Sequence, residues 1–345
     1  MLNISLYRTI VKYDIMFLGD FMKLDVIIPC FNAKYTLFKT LSSIALQRNI
    51  EKIRVYLVND CSDYDYKDFI DYFSNYFHIE EIKSDINVGP GEARNIGIRN
   101  SSNPYIVFID SDDVFYSPYS LDILYKEITK TKANLVISDF IYERDNERLI
   151  KKNSYVWLHG KIYNRKYLEE NNIYFNNTRA NEDNGFNNLI ILTTNNVKYL
   201  NKITYVYKEN ENSITRKNNR EYKISGLEGY AYNIRWALDE AIKRNANPYK
   251  IKTICFSNLH AMYYYYLEYF KDYDVDCLLR WSKKLVEIYD KYNHIILEEF
   301  IFDIIRNQKI KEYEERNIQI DKFITFDEFL KKVRDINDRY YYSSI

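Results

Sequence analysis

Short continuous apolar runs alternate with helical periodicity through the first part of the chain, and the alternation predicts the order of its elements. Runs at Leu24 to Ile28, Ile53 to Val58, Ile79 to Ile82, Tyr105 to Ile109 and Asn134 to Ser138 read as strands. They are apolar nearly throughout rather than at every second position, which suits a mostly parallel sheet buried on both faces. Between them, residues 34–48 put Leu37, Leu41, Ile44 and Ala45 on one helical face, residues 66–77 read as a second helix, and a third opens near Gly91. This is a Rossmann-like α/β pattern with flanking helices, of a nucleotide-binding type in which ligands sit outside the carboxyl ends of the strands. From Arg220 to Ile345 the pattern changes to long helices rich in Tyr, Leu, Ile, Lys and Glu. The expected organisation is an N-terminal extension over 1–22, an α/β domain over 23–218 and a helical C-terminal region over 219–345. The first stretch has neither the basic start nor the long apolar run of a secretory signal.

Composition narrows the function classes. With 345 residues, 46% hydrophobic and 28% charged, the chain is too apolar for disorder and long enough to bury a sizeable core. Its 49 basic and 49 acidic residues cancel, so no global field favours bulk nucleic acid or anionic lipid. Thr253 to Leu267, the most span-like uncharged stretch, is shorter than a membrane span and contains Asn258 and His260, so no integral membrane segment is expected. The 4 cysteines show no CxxC spacing and no clustering with His, which suggests neither a disulfide framework nor a zinc site. A cytoplasmic protein follows, with peripheral association at a membrane and oligomerisation both left open. The 36 tyrosines accompany abundant Ile, Asn and Lys, a bias shared by A/T-rich codons, and are read as genome composition before function.

The sharpest chemical feature is Phe108-Ile109-Asp110-Ser111-Asp112-Asp113, three carboxylates at the end of a strongly apolar strand. Asp110 and Asp112, two residues apart, can share a face, and hard oxygen ligands of this kind suit Mg²⁺ or Mn²⁺ carrying a diphosphate. Alone, the same residues also read as a polar turn capping the next helix. Three further segments lie at strand ends: Val26-Ile27-Ile28-Pro29-Cys30-Phe31-Asn32, Val58-Asn59-Asp60-Cys61-Ser62-Asp63, and Asn87-Val88-Gly89-Pro90-Gly91-Glu92-Ala93-Arg94-Asn95-Ile96-Gly97.

Taken with the carboxylate cluster, these segments resemble, in order and spacing, the inverting family 2 glycosyltransferases of GT-A fold. Trp157 to Arg165, Asn181 to Asn187 and Asn212 to Arg216 resemble that family's WxKLYRR, GEDxxFN and NSITR segments, so the likeness covers about residues 23–217. Four positions depart from the pattern: Asn59 and Cys61, where Asn59-Asp60-Cys61 stands for DDG, Phe31, which stands for a tyrosine, and the atypical Gly91.

The resemblance implies a role for each matching residue. Pro29, Phe31 and Asp60 would hold the nucleobase of a UDP-sugar donor, Asp60 accepting from a ring N–H. Arg94 would assist at the nucleotide, Asp110 would meet the ribose, and Asp112 would bind Mn²⁺ or Mg²⁺ with Asp113 flanking it or capping the following turn. Asp183 would be the catalytic base, with Glu182 as its neighbour; Asp183 also reads simply as a first-turn residue favourable to the helix dipole. His159 is a candidate third metal ligand or diphosphate contact and also reads as a satisfied, partly buried side chain; Arg216 is a candidate partner for the departing diphosphate or a solvated loop cation; His260 is a core residue.

The implied reaction moves a hexose or N-acetylhexosamine to an acceptor hydroxyl with inversion. The acceptor would be a surface polysaccharide or lipid-linked glycoconjugate, then a protein, then a modified nucleic-acid base. A nucleotidyltransferase is a second reading, but Cys30 to Leu37 offers no Gly-rich, basic phosphate loop. A sugar-nucleotide-binding or scaffold protein without turnover is a third, against which the retained Asp112 and Asp183 count.

Overall fold

A computed structural model describes residues 23–144, 147–208, 220–269, 275–319 and 324–336. The runs expected as strands form β1 (Leu24–Cys30), β2 (Ile53–Asn59), β3 (His78–Lys83), β4 (Tyr105–Phe108) and the start of β6 (Leu135–Arg144). The sheet is completed by β5 (Val114–Phe115), β7 (Glu147–Lys151), β8 (Lys161–Asn164) and β9 (Val197–Tyr207). Strand order is β3-β2-β1-β4-β8-β6-β9-β5, with β7 beside β6. The half from β3 to β4 is wholly parallel. Beyond β4 the sheet is mixed: β8 runs antiparallel to both β4 and β6, while β6 and β9 pair parallel through a register shift at Asp139.

Central β1 is buried at every position except Pro29, which is half-buried. A proline lacks the N–H that a central strand needs, and β1 tolerates one here because its pairing with β4 ends at Ile27 and Phe108. The strand also buries a charge. Asp25 accepts bonds of 2.7 Å from the Ser102 N–H, the Asn103 N–H and the Asn103 side chain, so its carboxylate stays satisfied while it closes the turn into β4.

Among the described residues six α-helices flank the sheet: α1 (Leu37–Ala45), α2 (Lys67–Phe73), α3 (Pro90–Asn100), α4 (Ser120–Thr131), α5 (Arg165–Glu170) and α6 (Glu182–Thr193). The first starts later than its periodicity suggests, because the Tyr66 hydroxyl takes the Ala33 N–H at 2.8 Å and holds the preceding residues in a turn. Leu37, Leu41, Ile44 and Ala45 do form its buried face.

The chain divides into two compact units, up to residue 217 and from residue 218. In the second lie α7 (Arg220–Lys243), α8 (Pro248–Tyr269), α9 (Asp276–Lys291), α10 (Glu299–Glu315) and α11 (Phe326–Asp335). The last opens on a reciprocal capping box between Thr325 and Glu328. His260 packs between aromatic rings, stacked on Phe326 at 3.9 Å and close to Phe256 at 4.4 Å, and burial lowers its pKa to about 4. No helix among the described residues is long and apolar enough to cross a membrane.

Candidate active site

The carboxyl ends of β1, β2 and β4 carry the motif residues to one edge of the sheet. At the first end, the ring of Phe31 is 51% exposed, available for stacking. Asn32 and Asp63 staple the loops after β1 and β2 together: the Asn32 amide donates to the Asp63 carboxylate at 3.2 Å and accepts the Asp63 N–H at 2.9 Å. Between these loops Asp60 is buried, and its two carboxylate oxygens accept the Val88 N–H at 2.6 Å and the Gly89 N–H at 2.9 Å. The side chain expected at a nucleobase thus also fixes the loop that leads into α3.

At the next position Cys61 adopts φ +59°, the left-handed conformation that a glycine would take without steric cost. The turn survives the loss of its glycine at the expense of backbone strain. The exchange of Asp for Asn at 59 has a local reason too. The Asn59 amide donates to Glu81 at 2.9 Å and accepts the Ser62 N–H at 2.9 Å, where a carboxylate would meet Glu81 as a like charge.

Arg94 occupies the middle of the site. Its buried guanidinium forks to Glu182 and to Asp110, both at 2.6 Å, and its face lies over the Phe175 ring. Burial penalises this charge, but the two carboxylates more than offset the penalty and raise its pKa. Burial likewise opposes ionisation of Asp110, yet the Arg94 guanidinium holds that carboxyl below its usual range.

Asp113 is fully buried, taking the Tyr205 hydroxyl at 2.6 Å and the Lys208 N–H at 2.7 Å. Desolvation, with the charges of Asp112 and Asp110, pushes its pKa well up. His159 faces the same place: its Nε2 stands 3.7 Å from Asp113 and 4.0 Å from Asp110. Burial among Tyr205, Phe140, Trp157 and Tyr207 drives the imidazole pKa down to about 3, so it is neutral and presents a lone pair. Crowded carboxylates beside a neutral imidazole suit a divalent cation, which would relieve their mutual repulsion. The compact group is Asp110, Asp113 and His159. Asp112, expected to be the principal ligand, is half-buried at the same turn and is not one of these three.

Glu182 and Asp183 open α6, after Asn181 in a left-handed conformation. Asp183 is half-buried and accepts the Asn184 N–H at 2.8 Å, so it does sit in the first turn as a local acceptor. Desolvation, followed by the Glu182 charge, raises its pKa to about 7. A carboxylate poised there can take a proton near neutral pH. Arg216 lies outside the described residues.

Residues 25–186 match the family model for glycosyl transferase family 2. This segment is a family 2 glycosyl transferase domain. Glycosyltransferase GlyA of Streptococcus pneumoniae is 28% identical over 223 residues, 56% of this chain and 32% of that protein. Poly(ribitol-phosphate) beta-N-acetylglucosaminyltransferase TarS of Staphylococcus aureus is 24% identical over 202 residues, 54% of this chain and 35% of that protein. The chain thus spans about a third of the length of these two curated relatives. Among solved structures, residues 1-349 of S. aureus TarS with UDP-GlcNAc superpose with a TM-score of 0.66 at 17% identity, covering 88% of this chain and 98% of that one. A Pyrobaculum calidifontis mannosyltransferase in complex with GDP-Man and Mn²⁺ gives 0.52 at 14% identity, covering 96% and 93%. At these identities the likeness is one of fold, a GT-A domain followed by helices.

Three further residues help to organise the family 2 domain. Tyr205 reaches Asp113 from 92 residues away. Lys161, fully buried, donates to the Ser154 carbonyl at 2.6 Å and to the Trp157 carbonyl, holding the segment that carries His159; burial lowers its pKa to about 7. Arg179 bonds to Asn87. Of these, only Lys161 lies in a motif, where the basic position of WxKLYRR could have drawn attention to it.

Proposed function

We propose that the chain is an inverting glycosyltransferase that moves a hexose or N-acetylhexosamine from a UDP-sugar to an acceptor hydroxyl in the synthesis of a surface polysaccharide or glycoconjugate. The observation that carries this reading is the juxtaposition, through Arg94, of the Asp110 end of the carboxylate cluster with the Glu182–Asp183 pair. Donor chemistry is assigned to residues 23–218, and 219–345 form a separate helical region. The complex of S. aureus TarS with UDP-GlcNAc supports the choice of nucleotide and sugar.

In this mechanism Phe31 stacks on the base, Pro29 lines its pocket, and Asp60 accepts its ring N–H while holding the Val88–Gly89 amides. Asp110 meets the ribose and stays anionic beside Arg94. Asp112 and His159, beside Asp110 and Asp113, would hold Mn²⁺ or Mg²⁺, and Arg216 would add a cation at the diphosphate. When bound, the ion stabilises charge on the leaving diphosphate. Asp183 removes the proton of the attacking hydroxyl, a contribution of about 10²- to 10⁴-fold for a well-placed base. Glu182, tied to Arg94, keeps that helix start in place.

A panel of UDP- and GDP-sugars, assayed for metal-dependent hydrolysis and thermal stabilisation, tests this reading. Stabilisation and slow hydrolysis of a UDP-hexose or UDP-N-acetylhexosamine are expected. A response to GDP-sugars alone contradicts the donor, and binding without turnover supports a silent nucleotide-sugar binder.

A further inference from the structure

Segment 171–181 between α5 and α6 ends at the Glu182–Asp183 pair; Phe175 packs it on Phe108 and Phe186, and α3 with the loop before it holds its backbone. Asn95 binds the Phe175 backbone twice, accepting its N–H at 2.8 Å and donating to its carbonyl at 2.9 Å. A side chain at Gly91 would stand 3.0 Å from the Asn176 carbonyl and from Glu182 Cγ, so the segment rests directly on the helix backbone. A further attachment is Arg179. Its guanidinium donates through Nη1 to the Asn87 side-chain oxygen and through Nη2 to the Asn87 carbonyl at 2.9 Å. Its stem crosses Gly89, which takes φ +90°, and a Cβ there would lie 3.3 Å from Arg179 Cδ.

The other side of the same loop is fixed by Asp60, whose carboxylate takes the Val88 and Gly89 amides and whose carbonyl accepts from the Asn87 amide at 3.3 Å. Asn87 is therefore bonded to Asp60 on one side and to Arg179 on the other. We propose that Arg179 is a positioning residue that couples the nucleobase carboxylate Asp60, through Asn87, to the segment that sets Glu182 and Asp183. It contacts neither of those acidic residues in this role; it acts through the loop. The planar fork matters, since two fixed donors meet two acceptors of one residue, a geometry that a lysine's compact ammonium does not reproduce. This inference rests on the donor reading for the identity of the ligand at Asp60, not for the clasp itself.

Hydrogen exchange with UDP and Mn²⁺ as the probe tests both parts separately. In the parent protein UDP should slow exchange in peptides covering 87–91 and also in those covering 176–182. In Arg179→Ala protection should remain at 87–91 and be lost at 176–182, and without nucleotide both segments should exchange faster than in the parent. With a donor that turns over, kcat should fall about ten- to a hundredfold while the UDP dissociation constant stays within about threefold. Arg179→Lys should recover part of the kcat. Protection of both segments in Arg179→Ala, or kcat within twofold of the parent, overturns the coupling. If UDP protects nothing in the parent protein, the donor reading fails, and the nucleotide-free exchange of Arg179→Ala still decides the clasp: faster exchange upholds it, unchanged exchange overturns it.

Discussion

Arg94 and Glu182, 88 residues apart in sequence, meet at 2.6 Å with both side chains almost wholly buried. The other arm of the guanidinium holds Asp110 at the same distance, so one cation joins the start of α6 to the end of β4. Replacing Arg94 with Met should leave two acidic groups facing each other without their cation and cost about 3–5 kcal/mol of stability, read as a lowered denaturation midpoint. Arg94→Lys should recover part of that loss, because an ammonium cannot span both carboxylates.

Cys61 supplies a test of the strained turn. Cys61→Gly removes a non-glycine residue from φ +59° and should be neutral or stabilising by up to about 1 kcal/mol, with donor affinity kept. Cys61→Val, branched at Cβ, should destabilise instead. Thermal melts of the two variants beside the parent check the order.

Separating the neighbouring carboxylates requires two substitutions. Asp113→Ala strips acceptors from the Tyr205 hydroxyl and the Lys208 N–H and should lower stability by about 1–3 kcal/mol for each group left unpaired, with or without metal. Asp112→Ala should abolish most Mn²⁺-dependent stabilisation by UDP. In the parent that stabilisation amounts to about 2.7 kcal/mol at a hundredfold excess over the dissociation constant. Intact metal-dependent UDP stabilisation in Asp112→Ala would assign the ion to Asp110, Asp113 and His159 without it.

Much of this architecture is written in local pattern. β1, β2 and β4 are recognisable because both faces are largely buried and the runs are apolar nearly throughout, Asp25 and Arg54 excepted. β9 is not: its first residues, Val197 to Lys202, are largely exposed and its burial begins only near Thr204, so no period of two is visible. β5 is two residues long and exists through its pairing with β9. The site divides in the same way. Asp60, Arg94, Asp110, Asp112, Glu182 and Asp183 sit at strand ends or helix starts with recognisable neighbours. Tyr205 and Arg179 act through partners some ninety residues distant, and only the folded chain brings those partners together.

The raised pKa of Asp183 fixes the direction of two pH effects. Its folded value of about 7 lies above the usual 3.8, so the folded protein favours the protonated form. The stability this contributes is fully present below pH 3.8 and is lost as pH rises through about 7. Activity runs the other way. A general base must be ionised, so kcat should climb with pH and level off above about 7. Asp183→Asn should remove this group's share of the pH-dependent stability.

Single-turnover kinetics of Asp183→Asn, with the donor found by the sugar-nucleotide panel, address the central claim most directly. Asparagine keeps the shape and can accept the Asn184 N–H, yet it cannot take a proton at neutral pH. A drop in kcat of about 10²- to 10⁴-fold, with the donor dissociation constant within about twofold of the parent, is the predicted result. Turnover within about threefold of the parent would contradict it, leaving Asp183 as a first-turn helix acceptor that costs only a few tenths of a kcal/mol to replace.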